Sequence, residues 1–199
     1  MKRVVHVFAV LLAMIASAVG VASAADLSRA VTLVATDRLD GSPFEQTVIV
    51  AAPLQDGAYV GFIINRPTDV KLATLFPDDG ETRKVTSPVS YGGPMLPRAV
   101  FALTSSAPSI DSGVVPLMPG LFAVLDAAGV DRVIETTPND ARYFVGLIVW
   151  APDELDQQVT AGAWDVKPAD PKIVLRAKAP GLWDKLRGAK PKSGAENWV

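Results

Sequence analysis

Side chains suited to chemistry gather in a few short stretches of this chain. The first is Ile64-Asn65-Arg66-Pro67, where the proline pushes Arg66 out of the helical region into an extended backbone. Its guanidinium is a planar fork of donors that suits a carboxylate or a phosphate. The second is Tyr91-Gly92-Gly93-Pro94. Its glycines would let backbone N–H groups approach the same anion with no side chain in the way. The third follows Trp150: Asp153, Glu154 and Asp156, with Asp37 far upstream, are carboxylates that could divide acid and base roles across a cleft. Each stretch also has a structural reading. Arg66 would then pair with Asp37, Asp153 or Glu154, and Asn65 would bond loop backbone. Gly92-Gly93-Pro94 would be a tight turn, Trp150 and Trp164 packing residues, and the acidic cluster the charged start of a helix. The candidate ligand-binding set is Asn65, Arg66, Tyr91, Gly92, Gly93, Trp150 and Glu154, and no residue is assigned as catalytic.

What the chain lacks narrows the chemistry further. There is no cysteine, and the only histidine is His6. His6 lies in a leader: Met1-Lys2-Arg3 is basic, Val4 to Val21 is almost uninterruptedly apolar, and Ala22-Ser23-Ala24 is the small-x-small pattern that signal peptidase reads. An uncleaved anchor is the alternative, and the Ala-x-Ala pattern and Gly20 argue for cleavage. Residues 1–24 are therefore expected to be a signal peptide cleaved near Ala24. The mature protein would be periplasmic or secreted and keep no stable membrane span. Without imidazole or thiol it would have no Ser-His-Asp or Cys-His proton shuttle, and no zinc, copper or iron ligands of the usual kind. Asp78-Asp79-Gly80 is too short for a calcium loop and reads as a turn. No cofactor and no metal are expected. The chain carries 19 basic and 21 acidic residues with no basic run longer than two, so no nucleic-acid partner is expected either.

The elements that must position these residues read as one domain over residues 25–188, with 189–199 a flexible polar tail. Strands are expected at Val31–Ala35, Thr47–Ala52, Tyr59–Ile64, Val89–Gly92, Ala99–Leu103, Arg142–Trp150 and Lys172–Ala177. The run Tyr59–Ile64 is apolar throughout, the pattern of a strand covered on both faces. A helical turn is expected near Lys71–Phe76. Gly120–Ala128 carries apolar residues at helical spacing, with Gly129 as its C-cap. Pro152 opens another helix, which Gly162 ends, and Pro180–Leu186 forms the last. Strands come in runs rather than in strict alternation with helices, which argues α+β with a mostly antiparallel sheet. No G-x-G-x-x-G or Walker A loop is present.

The order and spacing of Ile64-Asn65-Arg66-Pro67, Tyr91-Gly92-Gly93-Pro94 and Trp150-Ala151-Pro152-Asp153-Glu154-Leu155 leading to Gly162-Ala163-Trp164 carry a family likeness. With Leu33-Val34-Ala35 and Phe44-Glu45-Gln46-Thr47-Val48 upstream, the chain resembles the AlgH/YqgE family of bacterial proteins over roughly Val31 to Leu186. The resemblance implies a compact α+β domain, with a bifurcated, mostly antiparallel sheet bent into a pseudo-barrel and flanked by helices. It implies a transcriptional-regulator label but no reaction, and a cytoplasmic setting that the leader would contradict. The chain departs from the family pattern in three places. Thr104 stands where the family tends to have histidine, Gly146-Leu147-Ile148-Val149-Trp150 replaces G-Y-x-G-W, and Asp153-Glu154-Leu155-Asp156 replaces G-Q-L-E.

The expected function is a non-enzymatic binding domain whose partner is a small anionic ligand or an envelope protein. A carboxylate-based hydrolase of the cell envelope is the alternative, and a domain whose motifs only hold the fold is a third. The regulator role returns only if the leader is misread.

Overall fold

A computed structural model describes residues 26–109, 113–176, 178 and 180–188. The leader at 1–24 and the tail at 189–199 lie outside the described residues. Near-continuous apolar runs make β1 (Val31–Ala35), β2 (Val48–Pro53) and β3 (Tyr59–Ile63), an antiparallel meander with almost every residue buried. Alternation explains why both faces are apolar. Leu33, Ala35, Ile49, Ala51 and Ile63 enter one core with Trp150, Leu155 and Trp164. Val34, Val48, Val50, Phe62 and Ile64 enter another with Phe101, Leu103 and Phe144.

The remaining strands are β4 (Ser90–Tyr91), β5 (Met95–Thr104), β6 (Val114–Met118), β7 (Leu121–Val124), β8 (Ala141–Trp150) and β9 (Trp164–Pro168). They join in the order β6-β7-β5-β8-β3-β2-β1-β9, with β4 paired to β8 off this path. The sheet forks along β8. Its first part lies between β5 and the parallel β4, and its last three residues, Ile148–Trp150, pair with β3. The helices are α1 (Leu72–Leu75), α2 (Ala127–Thr136), α3 (Glu154–Thr160), α4 (Pro171–Val174) and α5 (Leu182–Arg187). Val130, Val133 and Ile134 of α2 close a third core over Ala102, Val124 and Tyr143. The architecture is α+β, a curled and forked antiparallel sheet with flanking helices, as the resemblance implied. No helix among the described residues is long and apolar enough to cross a membrane.

Several elements differ from the sequence reading. Gly120–Ala128 is not a helix. Pro119-Gly120 turns β6 back into β7, Gly120 adopting φ +73°, and Leu121–Val124 is a strand between β6 and β5. The apolar spacing at Leu121, Val124, Leu125 and Ala128 spans a strand and the next helix start. Gly129 caps no C-terminus: it lies in the first turn of α2, where its N–H donates to the Asp126 side chain at 2.6 Å. The last strand expected at Lys172–Ala177 does not form over residues 172–176, and Ala177 lies outside the described residues. Asp170 accepts from Lys172 N–H at 2.8 Å and Pro171 takes the first helical position, so Pro171–Val174 is helical and the last strand is Trp164–Pro168. Pro152 precedes its helix, which starts at Glu154 after Asp153 adopts φ +66°.

Candidate functional site

The end of β3 meets β4 at a junction built largely from backbone. Ile63 N–H donates to Gly92 O, Tyr91 N–H to Arg66 O, both at 2.9 Å, and Gly92 N–H to Val145 O at 2.8 Å. Asn65, Arg66, Tyr91, Gly92 and Gly93 are thereby brought to one place. The glycines serve this close approach. A Cβ on Gly92 would run into Gly146 O, and one on Gly93 into Leu147 O. With its N–H held by Val145, Gly92 is part of the sheet's wiring.

Asn65 is equally committed. Its Oδ1 accepts from Val48 N–H and its Nδ2 donates to Gln46 O, each at 2.8 Å, so the side chain joins the rim of β2 to that of β3. Arg66 Nη2 donates to Glu45 O at 3.2 Å. Among the described residues Arg66 makes no ion pair, whereas Asp37 bonds Arg187 at 3.0 Å.

Trp150 and Glu154 lie elsewhere. Trp150 pairs with Tyr59 at the opposite end of β3, and six residues of strand put about 20 Å between that point and Asn65. There the indole N–H groups of Trp150 and Trp164 both donate to Gln158 Oε1, at 3.1 and 3.0 Å. Gln158 Nε2 in turn donates to Glu154 Oε1 at 3.3 Å, and Ala151 N–H donates to Glu154 Oε2 at 3.0 Å. Both residues belong to a clamp that joins β8, α3 and β9. Nearby, burial and then the charges of Asp156 and Asp153 hold the Tyr59 phenol above the usual tyrosine range.

A cleft of about 440 Å³ opens beside the β3–β4 junction. Gln46, Asn65 and Pro67 form one wall, and Lys178, Pro180 to Trp183 and Asp184 the other. The second wall is pinned from outside: Trp183 Nε1 donates to Ala35 O at 2.8 Å, and Arg187 bonds Asp165 at 2.8 Å as well as Asp37. No three His, Cys, Asp or Glu side chains converge on a metal-sized site among the described residues.

A family model described as AlgH-like matches residues 32–190. The chain belongs to that family. A UPF0301 protein of Chlorobium phaeobacteroides is 27% identical over 165 residues, covering 81% of this chain and 85% of its own. A UPF0301 protein of Corynebacterium glutamicum is 23% identical over 154 residues, covering 76% and 82%. The solution structure of AlgH from Pseudomonas aeruginosa shares the fold with a TM-score of 0.67 at 22% identity, over 83% of this chain and 90% of that one. The crystal structure of protein DIP2367 from Corynebacterium diphtheriae does so at 0.63, also 22% identical, over 83% and 88%. None of these names states an activity.

Within this AlgH-like chain the sequence reading passed over Arg142. It is 4% exposed at the start of β8 and makes no ion pair among the described residues. Its Nη1 donates to Val174 O at 2.7 Å, and its Nη2 to Ile64 O at 3.0 Å and Ser90 Oγ at 2.9 Å. Its Cζ lies 4.8 Å from the Phe144 ring centroid, and Nε has no hydrogen-bond partner among the described residues. Burial lowers its pKa to about 10, so it stays charged at neutral pH. The guanidinium thus ties the residue before Asn65, strand β4 and helix α4 together, fixing both approaches to the cleft. The available signal was one charged residue opening an otherwise apolar ten-residue strand.

Proposed function

We propose that this domain is an exported, non-catalytic binder of small anions, with its ligand in the cleft between Asn65 and the wall made by Lys178 and Pro180 to Asp184. One observation carries the reading. Lys178 in the wall is a cation with no carboxylate partner among the described residues, beside a cleft of about 440 Å³ that Asn65 and Pro67, the chain neighbours of Arg66, line, and Arg66 likewise makes no ion pair among them. That volume is in the range of small-ligand sites. Arg66 offers the fork and Lys178 a mobile point charge. Asp184 on the same wall favours a ligand that carries hydroxyl or amine donors besides its anionic group. The anionic group belongs to a free solute or to an acidic side chain of an envelope partner. The export half of the reading rests on the basic, apolar and Ala-x-Ala pattern of residues 1–24.

The test is an NMR titration of the protein with inorganic phosphate, sulfate and citrate. Shifts confined to Gln46, Asn65, Lys178 and Gly181–Asp184 are expected. Binding should weaken about fivefold or more in the Arg66→Ala, Lys178→Ala double variant. No shifts at these residues, or unchanged binding by the double variant, would overturn the reading. Export is checked separately by fractionating the native cell and weighing the protein's N-terminus. A periplasmic pool starting at Ala25 or Asp26 is expected, and a cytoplasmic pool starting at Met1 refutes it.

A further inference from the structure

On a face that shares no lining residue with the cleft, a second cavity of about 240 Å³ lies between β5 and α2. The buried Phe101, Val130 and Ile134 line it, together with the exposed Phe76. An apolar cavity of about 150 Å³ is enough to hold a benzene ring. This slot therefore has room for one ring or one branched chain and a small polar head.

Three elements bring charge to the slot. In β5 the register with β8 jumps: Met95 pairs with Leu147 and Val100 with Val145, leaving Leu96 to Ala99 against Gly146 alone. Bulges of this kind re-aim side chains, and the excess chain here carries Arg98 into the lining. Asp131 comes from α2 and Asp79 from the loop after α1. That loop is already built. Asp79 N–H donates to Phe76 O at 3.2 Å, and the buried Thr82 hydroxyl donates to Asp79 O at 2.6 Å. Arg98 and Asp131 have no ion-pair or hydrogen-bond partner among the described residues, and the Asp79 side chain accepts only from Glu81 N–H. The guanidinium and the two carboxylates line one slot without pairing with each other.

We propose that this slot binds a free α-amino acid with an apolar side chain of leucine or phenylalanine size. The side chain enters among Phe101, Val130 and Ile134 and covers Phe76, which otherwise meets water. The ligand's carboxylate meets the Arg98 fork, and its ammonium group meets Asp131 and Asp79. Charge decides against simpler ligands. A lone carboxylate would face two like charges and a lone amine would face the guanidinium, whereas a zwitterion offsets both signs. The site shares no residue with the anion cleft, so either can fail without the other.

The test is calorimetric titration of the protein, as recovered from the cell, with L-phenylalanine and L-leucine, the site being located by NMR. Saturable binding is expected, with shifts at Phe76, Val130 and Ile134. Phenylacetate and phenethylamine each lack one charge, and glycine lacks the apolar body, so each should bind about tenfold more weakly or worse. Arg98→Gln should weaken phenylalanine about tenfold and phenethylamine not at all, and Asp131→Asn should weaken phenylalanine but not phenylacetate. Neither side chain has a partner to lose, so both variants should keep the melting temperature. No saturable binding of either amino acid overturns the proposal. So does binding indifferent to both variants, or phenylacetate or phenethylamine binding as tightly as phenylalanine. L-Phenylalaninamide binding as tightly as phenylalanine overturns it too, since the occupant would then be the amino terminus of a peptide.

Discussion

Trp150 and Trp164 donate their indole N–H groups to one and the same oxygen, Oε1 of Gln158. Both indoles are buried, one closing β8 and the other opening β9, so a single amide on α3 satisfies two groups that would otherwise lose water without compensation. Gln158→Ala should therefore cost roughly 2–4 kcal/mol, since it orphans two buried donors. Glu154→Ala, which removes an exposed partner of the same amide, should cost about 1 kcal/mol or less. Urea unfolding followed by tryptophan fluorescence separates the two.

Arg142 reaches two carbonyls and a hydroxyl from three elements. Arg142→Met keeps much of the volume but strands all three acceptors, and should cost roughly 3–5 kcal/mol. The first amide signals to broaden in an NMR spectrum of the variant should be those of Asn65, Ser90 and α4.

At Gly92 and Gly93 an added methyl meets backbone carbonyl oxygen of β8, which cannot rotate away. Gly92→Ala and Gly93→Ala should lower the melting temperature by many degrees or prevent folding. Gly120→Ala, whose methyl would meet nothing, should cost only about 1 kcal/mol for its left-handed backbone. Thermal unfolding of the set tests whether this motif is first of all a packing device.

Alkaline pH probes the buried phenols. Burial raises the pKa of Tyr143, and Tyr59 moves the same way. A phenol whose folded pKa exceeds its unfolded value contributes stability that is complete below about pH 10 and declines as the pH rises beyond it. Arg142 works in the opposite sense: with its folded pKa lowered to about 10, the penalty for burying its charge is relieved above that pH. Stability measured by urea titration should fall above about pH 10, and less steeply in Tyr143→Phe, which also gives up about 1 kcal/mol with its bond to Pro138 O.

Sequence patterning reveals β1, β2, β3 and β8 because each is a long apolar run that both faces of the sheet require. It misleads at Gly120–Ala128, where a period counted across a turn, a short strand and a helix cap imitates one helix. Asp170-Pro171 is a readable helix start, but the β-branched Ile173-Val174 outweighs it when the stretch is read alone. The Asn65–Arg66 and Tyr91–Gly93 pieces are legible as motifs, and the fold does bring them together. The separation of Trp150 and Glu154 from them is not legible, because it depends on β8 meeting β3 at its Tyr59 end, the end away from Asn65. Nor is the second wall of the cleft, since Pro180 to Asp184 returns to Asn65 only through tertiary contacts such as Trp183 with Ala35. Arg142 escapes notice because its partners are carbonyls, which every residue has.

The fork at β8 has a consequence for the order of folding. Strand β8 joins the β3 wing to the β5 wing, yet it is made after both, and the ladder closes with Val31 against Pro168. A chain emerging from its N-terminus can form the β1–β2–β3 meander early, but no strand pairing joins the two halves until Ala141–Trp150 is available. Pairings this distant along the chain make closure slow. A polypeptide cut off before Trp150 would be left as two open-edged pieces, each looking for a strand that never arrives.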